Sequence, residues 1–231
     1  MKIKTNLAKR SNYGDKRSLS QIKYIVIHYT ANDGDTDENN GKYFKNNQVG
    51  ASAHYFVDDD SVTQSVPDNY VAWHCGASKY KHPACRNTNS IGIEICDDVR
   101  NGKIYPSAKT IENVLELTSM LMNKYSIPKD HVIRHYDVTG KICPAYWCGS
   151  TTKNKKWKTE FWSKLQDIKK EFEPYLVTIN TGTLNVRKGA GTSHKIVATV
   201  KKGEVYTIVD EKNGWGKLKS GVGWIKLSYT K

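Results

Sequence analysis

The stretch His135-Tyr136-Asp137-Val138-Thr139-Gly140-Lys141-Ile142-Cys143-Pro144 determines how this chain is interpreted, together with Ile25-Val26-Ile27-His28 far upstream. His28, His135 and Cys143 supply two imidazoles and one thiolate, all of which are good zinc ligands. Three protein ligands leave a fourth position open to water, as in catalytic rather than structural zinc sites. The sequence therefore predicts a zinc hydrolase.

The patterns around these residues predict an α/β domain. Residues 24–27 form an apolar run typical of a buried strand, which places His28 at the end of that strand. The alternating residues 91–95 predict a second strand. Ser107 is the expected N-cap of a long helix, whose apolar residues recur every three or four positions until Pro128 ends the pattern.

The pattern changes at Pro174, which suggests a second domain. Before it, aromatic and apolar residues at helical spacing predict a closing helix over residues 153–172. After it, short alternating stretches separated by glycine turns predict a small all-β barrel. We therefore expect a catalytic domain at 1–173, with its motifs in 20–150, and a barrel domain at 174–231.

The chain is strongly basic, with a formal net charge of +13. Residues 175–231 contain ten Lys and Arg against three Asp and Glu, so the excess is concentrated in the tail. This charge predicts an acidic partner: nucleic acid, an anionic membrane surface or an anionic bacterial wall. The sequence has no recognition-helix, zinc-finger or aromatic-platform signature, so we do not expect nucleic acid as the partner. It also has no apolar stretch long enough for membrane insertion, and its first residues lack the apolar core of a signal peptide, which favours cytoplasmic synthesis.

The five cysteines favour free thiols over a disulfide framework, because their number is odd and no secretory signal is present. Cys143 has a context that indicates chemistry. An alternative interpretation makes it the nucleophile of a cysteine peptidase, with His135 as its base. That mechanism needs a third group to orient the histidine, and the spacing to Lys141 is the zinc pattern instead.

Five motifs in order along the chain resemble those of the type-2 N-acetylmuramoyl-L-alanine amidases, a family that includes many phage endolysins and the peptidoglycan recognition proteins. They are Ile25-Val26-Ile27-His28-Tyr29-Thr30, Ala51-Ser52-Ala53-His54-Tyr55-Phe56-Val57, Ala72-Trp73-His74-Cys75-Gly76, Asn89-Ser90-Ile91-Gly92-Ile93-Glu94 and the stretch at 135–144. The tail resembles a bacterial SH3-type (SH3b) domain through residues 184–192, 213–217 and 223–225. The resemblance implies a central mixed sheet flanked by helices, followed by a small all-β SH3-like barrel.

The resemblance also implies which residues carry the chemistry. It assigns a zinc ion, the sole cofactor, to His28, His135 and Cys143. It makes Lys141 the residue that stabilises the oxyanion of the tetrahedral intermediate, where an ammonium group supplies positive charge as the carbonyl oxygen becomes negative. The alternative for Lys141 is a solvated loop lysine in a lysine-rich protein.

Glu94 is the expected general base. It lies in an otherwise apolar strand, where burial of an unpaired carboxylate is costly and raises its pKa. The alternative is a strand glutamate that faces solvent. Some members of the resembling family place a tyrosine just before the histidine of the second motif, but this chain has Ala53 there, so we expect it to depend on Glu94.

Two further histidines lie beside aromatic residues in these motifs. We expect His74, with Trp73, to line the groove that receives the glycan or the peptide. We expect His54 to be a buried, hydrogen-bonded histidine of a strand.

The implied reaction is hydrolysis of the amide that joins N-acetylmuramic acid to the L-alanine of the peptidoglycan stem peptide. The implied role is that of a phage endolysin, made in the host cytoplasm and acting on the wall after release at lysis. A bacterial autolysin with the same chemistry is an alternative, and so is a non-catalytic peptidoglycan-recognition protein, although the latter is expected to lack a complete metal set. The tail is expected to bind peptidoglycan, or an anionic wall polymer, through Tyr206, Trp215 and Trp224, unless these aromatics form the barrel core.

Overall fold

A seven-stranded mixed sheet forms the centre of the first of two structural units. The structure is a computed structural model that describes residues 1–100, 102–166 and 172–231. The two units are Met1–Ile168 and Lys169–Lys231. The domain boundary expected at 173/174 stays a prediction, because residues 167–171 next to it lie outside the described ones.

The strands of the first unit are β1 (Ile3–Thr5), β2 (Tyr13–Lys16), β3 (Tyr24–Asp33), β4 (Tyr55–Val57), β5 (Val62–Gln64), β6 (Tyr70–Ala72), β7 (Ser90–Arg100), β8 (Lys103–Tyr105) and β9 (Val132–Arg134). The sheet has the order β1-β5-β4-β7-β3-β9, with β8 paired to β7, while β2 and β6 form a separate ribbon. Strands β4, β7, β3 and β9 are parallel neighbours, and β5 is antiparallel to β4. The parallel register brings the middle of β3 and the middle of β7 beside the end of β9.

The alternation along β3 and β7 separates the core from the opposite face. The isoleucines at odd positions pack with helix α2 in one apolar cluster: Ile25, Ile27, Ile91, Ile93 and Ile95. Side chains in a strand alternate between its two faces, so His28 and Glu94 point away from this cluster. Strand β3 continues past His28 to Asp33, so the prediction that His28 ends the strand was wrong.

The helices of the first unit are α1 (Asp37–Asn46), α2 (Ala108–Tyr125), α3 (His135–Thr139) and α4 (Thr151–Lys156). Helix α2 begins as expected, because the Ser107 hydroxyl accepts the Thr110 N–H at 2.9 Å. It ends at Tyr125, where Ser126 adopts a left-handed conformation with φ of 52°. Its buried face follows helical spacing: Thr110, Asn113, Val114, Leu117, Thr118, Leu121 and Met122.

The predicted closing helix corresponds to α4 and two turns that follow it. A π-helical turn spans Trp157–Phe161 and a 3₁₀ turn spans Trp162–Lys164. Leu165 is extended, so the helical segment starts slightly earlier than the expected 153 and ends before the expected 172. Residues 167–171 of that prediction lie outside the described residues. The aromatic residues Trp157 and Phe161 are buried in the main core of the first unit.

The second unit is an antiparallel six-stranded sheet, which confirms the all-β prediction. Its strands are β10 (Tyr175–Thr178), β11 (Thr183–Arg187), β12 (Ile196–Lys201), β13 (Val205–Lys212), β14 (Trp215–Leu218) and β15 (Trp224–Lys226), in the order β10-β13-β14-β15-β11-β12. Trp215 is 7% exposed and lines a groove of about 380 Å³ on this unit, whereas Trp224 is half-buried. Across the described part of both units, no helix is long and apolar enough to cross a bilayer.

Candidate active site

Three side chains predicted as metal ligands come together on the face of the sheet opposite α2. One potential ligand atom from each of His28, His135 and Cys143 lies within 4.8 Å of the others. The His28 Nδ1 atom is 3.9 Å from the Cys143 sulfur, and all three side chains are buried. Their convergence follows from the sheet order: β3 carries His28, its neighbour β9 leads directly into His135, and the loop after α3 returns Cys143 to the same point.

Arg134 anchors the short segment that carries two of these three residues. Its guanidinium donates to both carboxylate oxygens of Asp137, to the Trp147 carbonyl at 2.6 Å and to the Asn154 side chain at 2.7 Å. A planar guanidinium with several fixed donors suits such a junction better than a lysine ammonium does. These bonds connect β9 and α3 to the residues after Cys143.

The donor set fits a bound zinc ion. Two imidazoles and a thiolate are zinc ligands, and the buried Nδ1 atom of His135 has no hydrogen-bond partner among the described residues. Burial lowers the pKa values of both His28 and His135, that of His135 to about 4, which keeps both imidazoles neutral as a metal requires. Burial raises the pKa of the Cys143 thiol, so its thiolate is stable there only beside a positive charge such as a metal ion.

Glu94 lies directly beside this cluster. It is the register partner of His28 across the parallel strands β3 and β7, and its Oε1 atom is 3.9 Å from His28 Nδ1. The side chain is 20% exposed, and burial, opposed by the charge of Lys141 and supported by that of Asp97, raises its pKa to about 8. A carboxyl group with such a pKa can both accept and return a proton near neutral pH.

Lys141 and Glu94 both line an open cavity of about 690 Å³. The remaining walls come from β3, the loop after it, α1 and β4: Tyr29, Thr30, Asn32, Asp35, Asn39, Asn40, Tyr43, Phe44 and Phe56. Lys141 is exposed, and its positive charge lowers the pKa values of His28, His135 and Glu94. The cavity thus combines a carboxyl group and an ammonium group with polar amides, as a groove for a polar substrate requires.

His74 and Trp73 have different surroundings. The two ring nitrogens of His74 contact protein side chains, Nδ1 at 3.0 Å from His28 Nε2 and Nε2 at 3.1 Å from the Ser90 hydroxyl. Trp73 is 38% exposed and lies beside Gly14. A substrate contact by either residue remains a prediction.

His54 is fully buried and hydrogen-bonded, as expected. Its Nδ1 accepts the Gly92 N–H at 3.0 Å, and its Nε2 lies 2.8 Å from a guanidinium nitrogen of Arg17 and 3.1 Å from the Tyr70 carbonyl oxygen. The sequence interpretation missed Ser90, which begins β7 and contacts His74. The signal was a hydroxyl residue at the start of the strand that carries Glu94, but the partner comes from a distant loop and only the fold brings it there.

Comparison with known proteins agrees with both units. The family described as N-acetylmuramoyl-L-alanine amidase matches residues 18–146, and the family described as bacterial SH3 domain matches residues 182–231. N-acetylmuramoyl-L-alanine amidase CwlL of Bacillus licheniformis is 35% identical over 164 residues, which cover 66% of this chain. The chain spans only 44% of the length of that relative.

Two solved structures resemble the first unit. The structure of PlyL is 30% identical, with a TM-score of 0.58, and the match covers 72% of this chain and 98% of that one. A mutant endolysin from Bacillus subtilis is 28% identical, with a TM-score of 0.55, over 71% of this chain and 98% of that one. Both matches cover nearly all of the compared chain, so the fold of the first unit is that of these proteins.

Proposed function

The chain belongs to the N-acetylmuramoyl-L-alanine amidase family, and from that premise we propose that it hydrolyses the amide between N-acetylmuramic acid and the L-alanine of the peptidoglycan stem peptide. One observation carries the proposal: three potential zinc ligands converge within 4.8 Å, and the Glu94 carboxylate lies 3.9 Å from one of them. A chain that had kept the fold and lost the chemistry would have no reason to keep this complete set.

His28, His135 and Cys143 would hold the metal, and we propose zinc. Bound zinc supplies Lewis acidity, which polarises the scissile carbonyl and acidifies water. The protein holds two neutral imidazoles and one thiolate for it, and burial excludes bulk water from these ligands.

Glu94 takes a proton from the attacking water and returns it to the leaving amine. In the metal-free protein, burial raises the pKa of this carboxyl group to about 8, so it can bind and release a proton near neutral pH. The Lys141 ammonium stabilises the negative charge that develops on the carbonyl oxygen. Both side chains line the same cavity, so one bound amide can reach both of them.

The second unit would hold the enzyme on the bacterial wall, which raises the local concentration of cleavable bonds. A groove of about 750 Å³ on this unit is lined by lysines and apolar residues: Lys188, Lys195, Ile196, Val197, Lys217, Gly221, Val222, Gly223 and Trp224. No carboxylate is among these lining residues. Three ammonium groups beside a half-buried tryptophan favour an anionic wall polymer as the ligand of this groove.

We propose that the chain acts as a phage endolysin, made in the host cytoplasm and reaching the wall only after the membrane is opened. Its similarity to a solved endolysin and the pairing of an amidase with a wall-binding domain support this role. Expression inside a Gram-positive cell tests it: lysis should occur after the membrane is permeabilised and not before. Lysis without permeabilisation would favour a bacterial autolysin that is exported.

The activity is tested by the bonds that the full chain cleaves in purified Gram-positive peptidoglycan. We expect new amino termini without new reducing ends, loss of activity on chelation, recovery with zinc, and no recovery in Cys143→Ser. New reducing ends would mean a glycosidase and contradict the proposal. Tight wall binding with neither product would instead support a non-catalytic recognition protein.

A further inference from the structure

A chain of hydrogen bonds leads away from His28 on the side opposite the cavity. The His28 Nε2 atom lies 3.0 Å from His74 Nδ1, and His74 Nε2 lies 3.1 Å from the Ser90 hydroxyl. That hydroxyl lies 2.7 Å from the Arg86 carbonyl oxygen. Each link is within hydrogen-bonding distance, so the positions of the protons along the chain are coupled.

The carbonyl at the end of the chain fixes the direction of every bond. A carbonyl oxygen can only accept, and two oxygens 2.7 Å apart need a proton between them, so Ser90 donates to Arg86. The Ser90 oxygen must then accept from His74 Nε2–H. A His74 ring whose single proton is on Nε2 has a free lone pair on Nδ1 and accepts from His28 Nε2–H. His28 is left with its lone pair on Nδ1.

That nitrogen is the one that faces the metal cluster. His28 Nδ1 lies 3.9 Å from both the Cys143 sulfur and the Glu94 carboxylate. We propose that His74 and Ser90 are positioning residues, which hold His28 in the Nε2–H tautomer and aim its Nδ1 lone pair at the metal. The proposal rests on the metal-dependent function proposed above, and it gives His74 a role distinct from the substrate contact expected from the sequence.

The surroundings of His74 are shaped to hold the ring in this position. Gly92 lies under the ring, and a Cβ atom built there would be 2.6 Å from His74 Cγ. The main-chain N–H of His74 and that of Cys75 both donate to the Asn87 side chain, at 3.2 and 2.8 Å. The His74 ring thus packs against the backbone of β7 at Gly92. The main chain at His74 is hydrogen-bonded to Asn87, in the turn before β7. Metal-bound histidines commonly depend on such outer hydrogen bonds for orientation.

The tautomers can be read directly in the metal-free full chain. Long-range ¹H–¹⁵N correlation spectra of the histidine rings should show the proton of His28 and that of His74 on Nε2. Ser90→Ala should leave His28 and His74 as mixed tautomers, whereas Ser90→Thr, which keeps the hydroxyl, should restore the wild-type pattern. A pure Nδ1–H tautomer of His28 in wild type would overturn the proposal.

Zinc affinity provides a second measurement that does not depend on catalysis. Competition with a chromophoric chelator should show zinc binding weakened about 10–100-fold in His74→Ala and Ser90→Ala, the usual range for loss of an outer-shell partner. His74→Asn, whose side-chain oxygen can replace Nδ1 as the acceptor, should bind more tightly than His74→Ala. His131→Ala removes a histidine that stacks on Tyr24 outside the cluster and should bind as wild type does.

The outcomes separate this proposal from the proposed function. If the wild-type protein is an active amidase, and His74→Ala and Ser90→Ala fold and bind zinc as tightly as wild type does, the positioning role alone is overturned. If these variants bind zinc more weakly than wild type, and the wild-type protein cleaves no amide, the positioning role is supported and the proposed function is contradicted. A wild-type chain that binds no zinc would overturn both.

Discussion

His28 and Glu94 are register partners on adjacent parallel strands, and their side chains approach to 3.9 Å between Nδ1 and Oε1. The second carboxylate oxygen of Glu94 is buried and has no hydrogen-bond partner among the described residues. Native proteins rarely leave such an atom unsatisfied, because its desolvation is not compensated. The pairing therefore costs stability and supplies a carboxylate that is free to bond to water or substrate.

Glu94→Gln should lower amide hydrolysis by about 10²–10⁴-fold, because the amide cannot transfer a proton as the carboxylate does. Zinc binding should persist, since Glu94 is not one of the three clustered ligands. The assay is release of amino groups from purified wall, with zinc content measured on the same sample. Glu112→Gln, which changes an exposed glutamate on α2, is the matched control. Full activity in Glu94→Gln would remove Glu94 from the mechanism.

The same carboxyl group should make the metal-free protein less stable as pH rises. Burial raises its folded-state pKa from 4.5 to about 8, so the folded state binds more protons than the unfolded state between these values. The stability it contributes is complete below pH 4.5 and is lost as the pH rises to about 8. In the presence of a chelator, the thermal midpoint of Glu94→Gln should thus exceed that of wild type by several degrees at pH 8.5, and the gap should shrink toward pH 5. A gap independent of pH would contradict the assignment.

Local sequence patterns were sufficient for the main elements of the fold. Isoleucine alternation identified β7, and an N-cap serine with helical spacing identified α2 to the residue at its start. The motifs also singled out His28, His135 and Cys143, which the fold brings together as a possible metal site. The signals for β7 and α2 are local, because each depends on the period of one element and on residues within it.

Long-range pairing explains what the sequence could not predict. Strand β3 runs past His28 because β7 continues beside it, and the sequence break after His28 does not reveal that partner. Strand β14 has no clear strand pattern of its own, because its glycine and its lysine hide a short alternation that pairing with β13 and β15 stabilises. The contact between His74 and His28 joins residues 46 positions apart, so only the assembled sheet shows it.

Gly92→Ala should weaken zinc binding although Gly92 is not one of the three proposed zinc ligands. A Cβ atom there would lie within 2.6–2.9 Å of three atoms of the His74 ring, so the ring must move away from His28. We expect a lower thermal midpoint together with a loss of zinc affinity of about tenfold, as for other outer-shell changes. Gly76→Ala is the control, because its new Cβ would meet one neighbouring atom at an ordinary 3.4 Å. Unchanged zinc affinity in a folded Gly92→Ala protein would show that the ring position is not critical.

Arg134→Lys should destabilise the protein by about 1–3 kcal/mol, because lysine cannot replace the bonds to Asp137, Trp147 and Asn154 together. Denaturant unfolding measures this loss, and zinc affinity should fall with it, since Arg134 holds the segment that carries His135. The same substitution at Arg10, whose side chain is 56% exposed, should have little effect. If Arg134→Lys were as stable as wild type, the anchoring role of the guanidinium would be wrong.

Removal of single charges from the lysine groove of the second unit should weaken wall binding several-fold at low salt. Lys188, Lys195 and Lys217 line one groove with no carboxylate among the lining residues, so each ammonium acts on the same bound anion. Salt screens this attraction, so the difference between Lys217→Gln and wild type should disappear at high ionic strength. Lys202→Gln removes an exposed lysine that is not among those lining residues and serves as the control. Binding should also fall on walls from which phosphodiester polymers have been extracted with acid. Equal binding to extracted and intact walls would instead identify the peptidoglycan itself as the ligand of this unit.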